Sequence, residues 1–128
     1  GITATNGSVA PGSNAGLAGL LISNGNVTFN TGTTFNIDIG GVTPGDQYDQ
    51  LQVTGTVNLG PGLTNLSGTL INGFTPTPGQ QFTIIQSKGA LTGTFVQGSS
   101  INIGGTVFNI TYNANSVVLS VPAASSPT

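Results

Sequence analysis

Apolar and polar residues alternate along this chain in short bursts, each cut off by glycine, proline or asparagine before a helix could complete three turns. Phe35, Ile37 and Ile39 alternate with Thr34, Asn36 and Asp38, and Gly40-Gly41 closes the run. Val27 and Phe29 flank Thr28. Phe108, Ile110 and Tyr112 alternate with Val107, Asn109 and Thr111, and Val117, Leu119 and Val121 follow the Asn113-Ala114-Asn115 turn. A period of two places successive side chains on opposite faces of a strand. Strands at intervals of about eight to twelve residues, with turn residues between them, predict an all-β fold. Helix-like spacing arises only around Leu17 and Leu20, where Gly16 and Gly19 oppose it.

Residues 45–59 carry the cleanest strand–glycine–strand pattern and two of the three acidic residues, Asp46 and Asp49. Leu51 and Val53 alternate with Gln50 and Gln52, and Val57 and Leu59 repeat the phase after Gly55. The reading is a turn, then a strand starting at Tyr48-Asp49, then a corner at Gly55. A weak echo links Gly7-Ser8-Val9, Gly25-Asn26-Val27 and Gly55-Thr56-Val57 at uneven spacing. Farther on, Gly60-Pro61-Gly62 predicts a turn and the segment from Leu66 to Ile71 a strand. Residues 74–80 predict a loop. Further strands are expected at residues 81–86 and around Leu91 and Phe95.

Only 3% of the 128 residues are charged, so solubility must come from hydroxyls and amides. A net charge of −2 with Lys88 as the sole base offers nothing to neutralise phosphates, which excludes the usual nucleic-acid binders and disfavours anionic membranes. No apolar run approaches the length of a membrane span. His, Cys, Met, Trp, Arg and Glu are all absent, and with them most of the catalytic vocabulary.

Asp46 and Asp49 are the only candidate metal ligands by local clustering, with Asp38 near in sequence, and calcium is the cation that carboxylates and carbonyls would suit. The structural reading is that each aspartate caps a turn through its own backbone. The same two carboxylates are the only glycosidase pair the chain offers, without tryptophan to hold a sugar. Lys88 beside Gly89 reads as a solvated turn residue rather than a base for a serine or threonine. Tyr48, Phe35 and Phe108 read as core. No catalytic or cofactor-binding residue is assigned, and the chain is expected not to be an enzyme.

Three segments, residues 7–14 (Gly-Ser-Val-Ala-Pro-Gly-Ser-Asn), 26–38 and 48–57, resemble the β-strand repeats of autotransporter passengers and related large bacterial surface proteins. Residues 74–85 and 105–119 are similar to the C-terminal end of the same modules. The resemblance implies a right-handed parallel β-helix. Those modules carry Gly and Asp in the last turn where this chain has Asn113-Ala114-Asn115-Ser116, so no calcium site comes with the likeness.

The expected architecture is one all-β domain over residues 1–121 and a low-complexity tail over 122–128. It is a short parallel β-helix, or solenoid, whose strands from Ile101 to Val121 turn back as antiparallel hairpins at Gly104-Gly105 and at Asn113-Ala114-Asn115. The alternative is a β-sandwich. A solenoid's ends expose unpaired backbone groups that must be capped or paired. The expected function is therefore a non-enzymatic extracellular structural protein, a subunit or segment of a cell-surface fibre that assembles as a homo-oligomer or polymer. Ile2, Thr3, Ala4 and Thr5 are the strand expected to add to a neighbour's sheet edge. The alternative is an adhesin that meets glycans or another surface through polar rows such as Thr34, Asn36 and Asp38.

Overall fold

Alternation becomes strand wherever it occurs in the computed structural model, which describes residues 2–4, 8–9 and 19–122. The strands are β1 (Ile2–Ala4), β2 (Ser8–Val9), β3 (Leu20–Ser23), β4 (Val27–Phe29), β5 (Thr34–Ile39) and β6 (Gln50–Val53). They continue as β7 (Val57–Leu70), β8 (Gln81–Ser87), β9 (Leu91–Phe95), β10 (Ser100–Ile103), β11 (Thr106–Tyr112) and β12 (Ser116–Ser120). There is no helix among the described residues. In β5, Phe35, Ile37 and Ile39 are buried while Thr34, Asn36 and Asp38 are half-buried, as a period of two requires.

Two six-stranded sheets result. One runs β1-β4-β7-β5-β2 with β9 also on β7; every pairing in it is parallel, and the sheet curls into a half-barrel. The other runs β10-β11-β12-β8-β6-β3, parallel from β3 to β8 and antiparallel from β8 to β10. Registers carry from strand to strand. Ile2 aligns with Val27, Val27 with Val57 and Val57 with Leu91. Ser23 aligns with Val53, and Val53 with Ser87. The hairpins fall at Gly104-Gly105 and at residues 113–115, where the turn residues placed them.

Inward-facing residues of both sheets form one core. Phe29, Phe35, Phe95 and Tyr112 make a chain of ring contacts in one part of it, with centroids 5.7 to 6.3 Å apart. In another part, Phe82 meets Tyr48, Phe74 and Phe108 edge-on. In β8, Phe82, Ile84 and Ile85 are all buried, because the register against β12 shifts between Val117 and Val118. Such a bulge lets two neighbouring residues turn inward together.

Two boundaries differ from the sequence reading. Tyr48 and Asp49 precede β6 rather than opening it, and Tyr48 makes isolated bridges to Ile39 and Pro44. The turn expected at residues 60–62 is a bend inside the continuous strand β7. Gly60 and Gly62 adopt φ of 79° and 81°, and the ladder to β9 passes through the bend with register shifts instead of stopping.

Candidate functional site

The structure places the two aspartates of the acidic stretch in different surroundings. Asp46 is exposed in its turn, and it is Gln47 that caps the turn: its Oε1 accepts from the backbone N–H of Val42 and of Thr43, both at 3.1 Å. Asp49 is buried. Its Oδ1 accepts the Gly19 N–H at 2.7 Å and its Oδ2 the Asp38 N–H at 2.9 Å. The carboxylate thus ties the entry of β3 to β5 across long sequence separations, instead of closing a local turn as the sequence suggested. Both of its oxygens accept charge-assisted hydrogen bonds from backbone N–H groups. No group of three His, Cys, Asp or Glu side chains gathers among the described residues.

Buried amides and phenols serve the same end. Gln50, which alternation points outward, is buried. Its Nε2 donates to the Thr83 carbonyl, and its Oε1 accepts from Gln52 Nε2. The Tyr48 hydroxyl accepts the Thr83 N–H at 3.1 Å. Burial raises the Tyr48 pKa above its ordinary value, and the Thr83 hydrogen bond offsets part of the rise. No buried side-chain nitrogen or oxygen among the described residues lacks a partner.

Lys88 is exposed in the turn between β8 and β9. It borders a groove of about 290 Å³ whose lining includes Ile22, Gln52, Thr54, Gln86 and Ser87. Thr34, Asn36 and Asp38 lie in register with Asn65, Ser67 and Thr69, doubling the polar row on the outer side of the half-barrel. Ile2, Thr3 and Ala4 pair with Val27, Thr28 and Phe29 of their own chain as the last strand of the sheet, and Thr5 lies outside the described residues.

The two ends of the parallel stack differ, and the residues responsible are ones the sequence reading missed. At the C-terminal end several edges are met, while β10 is itself an outermost strand. The edge of β8 pairs with β12. At the next corner, Ser87 N–H donates to the Asn115 carbonyl and Leu91 N–H to the Ala114 carbonyl, both at 2.8 Å. The Tyr112 hydroxyl accepts the Phe95 N–H at 3.0 Å and donates to the Gly98 carbonyl at 2.6 Å. The Gln97 side-chain amide acts as a strand in miniature: its Oε1 accepts Leu66 N–H, and its Nε2 donates to the Leu66 carbonyl and to Asn65 Oδ1. At the other end, β1, β2 and β3 are the outermost strands, and no described strand lies beyond them. Only the Asn113-Ala114-Asn115 turn was legible beforehand. A lone Gln97 or Tyr112 carries no mark of a cap in the sequence.

Comparison with protein-family models, with curated proteins and with solved structures finds no match to this chain.

Proposed function

We infer that the chain is a non-enzymatic structural element of the cell exterior, a subunit or segment of a surface fibre. In this reading the parallel registers are those of a short right-handed β-helix, closed by antiparallel hairpins, and the resemblance to bacterial surface-protein repeats supports it. The observation that carries it is the stack itself. Buried Asp49 and Gln50 and half-buried Gln97 and Tyr112 hold neighbouring elements together, so their chemistry is spent on a rigid body rather than on a reacting centre. Asp49, Gln50, Gln97 and Tyr112 all bond backbone of other strands or turns. Such a body transmits force and spaces what it joins.

Immunogold labelling of the cells that make the protein tests this directly. Label along extracellular fibres is expected, and label confined to the cell interior overturns the reading. A second reading, an adhesin, draws on the doubled polar row of Thr34, Asn36 and Asp38 with Asn65, Ser67 and Thr69, which suits weak multivalent contact with glycans. Binding on a glycan array that is lost in Asn36→Ala/Ser67→Ala would favour it, and a silent array would count against it.

A further inference from the structure

We propose that Asn72 is a modification site, where the folded chain deamidates spontaneously through its own Gly73, while the fold protects the like pair Asn24-Gly25. An asparagine followed by glycine is the pair most open to this reaction, because glycine puts no side chain in the way of its own backbone nitrogen. The chain holds three such pairs, Asn6-Gly7, Asn24-Gly25 and Asn72-Gly73, of which the last two lie among the described residues. Asn24, Gly25, Asn72 and Gly73 are all exposed, so exposure does not tell the two pairs apart.

The attacking nitrogen does. Gly25 N–H donates to Thr54 Oγ1 at 2.8 Å, and the Gly25 carbonyl accepts the Gly55 N–H at 3.0 Å. Next to them, Asn26 Oδ1 accepts the Thr56 N–H at 2.9 Å, so this corner is clamped to the following coil. Gly73 N–H, by contrast, donates to no group among the described residues. Asn72 and Gly73 are the central pair of a turn closed by one bond, from Phe74 N–H to the Ile71 carbonyl at 3.0 Å. Their φ angles of 56° and 68° are both positive, as a type I′ turn requires, and Asn72 is the one non-glycine residue in that region among those described. A Cβ on Gly73 would meet nothing within 4 Å, so no neighbour walls in the turn.

The chemistry needs only water and base. Gly73 nitrogen, deprotonated by hydroxide, attacks Asn72 Cγ; the new C–N bond closes a succinimide, and the Cγ–Nδ2 bond breaks to release ammonia. Water then opens the ring at either carbonyl, leaving aspartate or isoaspartate, with no change of oxidation state. Either product adds one negative charge to a chain whose net charge is −2. Isoaspartate also routes the main chain through Cβ, lengthening by one carbon the turn that sets the Phe74 ring edge-on to Phe82, 6.0 Å away. The modification is thus a slow, irreversible loosening at one corner of the core.

Peptide mapping by tandem mass spectrometry, on the folded chain and on the chain in urea during incubation at mildly alkaline pH, tests the proposal. In urea the two pairs should convert at similar rates. In the folded chain Asn72 should exchange its amide NH2 for OH about tenfold faster than Asn24 or more, the factor one net hydrogen bond on the attacking nitrogen is worth. Thr54→Ala, which frees the Gly25 N–H, should speed conversion at Asn24 and leave Asn72 unchanged. Gly73→Ala should slow Asn72 and leave Asn24 alone. Asn72 still intact in the folded chain once the urea sample has converted would overturn the proposal, and so would equal rates at Asn24 and Asn72 in the fold.

Discussion

A methyl group on Gly55 would run into the Asn26 side-chain oxygen and come within 2.7 Å of the Gly25 carbonyl. Gly55 N–H donates to that same carbonyl, and Gly89 N–H donates in turn to the Gly55 carbonyl, so three glycines stack at one corner. Gly55→Ala should therefore destabilise by about 2–3 kcal/mol, read from urea denaturation, because backbone rather than a flexible side chain must yield. Gly25-Asn26-Val27 and Gly55-Thr56-Val57 were legible as an echo. Gly89 was not, since Ala90-Leu91 follows it, and Ser8-Val9, read as a third copy, instead aligns with Thr34-Phe35. Asp49→Ala strips an acceptor from two backbone N–H groups and should cost about 2–4 kcal/mol in the same assay, while Asp49→Asn, keeping one oxygen, should cost less. Burial raises the pKa of Tyr48 and of Tyr112 above 10.0, partly offset by hydrogen bonds from Thr83 and Phe95. The unfolded chain then loses its phenolic protons first. Stability from these groups is complete below about pH 10 and declines as pH climbs through the native values, which melting temperatures across alkaline pH should show.

Among the elements, those with strict alternation were read correctly, β5, β11 and β12 above all, because burying one face leaves a single register open to them. β7 was split in two, since a Gly-Pro-Gly run signals a turn whether the chain reverses there or only bends. Gly68 lies within that strand. It makes room for β10: a Cβ there would lie 2.5 Å from Ile103 Cδ1, so the hairpins seat against the stack through a missing side chain. Such long-range fits leave no local trace, and neither does capping by Gln97. Gln97→Ala should cost about 1–2 kcal/mol and accelerate hydrogen exchange at the Leu66 amide relative to that of Ile71, which donates to the Ile39 carbonyl, measured by NMR.

The whole molecule joins parallel strands to antiparallel hairpins, and among the described residues β1, β2, β3 and β10 are its outermost strands. The direction in which β6 and β7 pair could not be read from alternation, which parallel and antiparallel strands can share. Direction also decides whether the body is a stack of coils or two facing antiparallel sheets. Nuclear Overhauser contacts between α-protons decide it in solution, because opposed α-carbons approach closely only in antiparallel pairs. The account predicts strong interstrand Hα–Hα contacts linking β8, β12, β11 and β10, and none linking β3 to β6, β6 to β8, β4 to β7 or β7 to β9. Strong Hα–Hα contacts across any of those four pairs would contradict it.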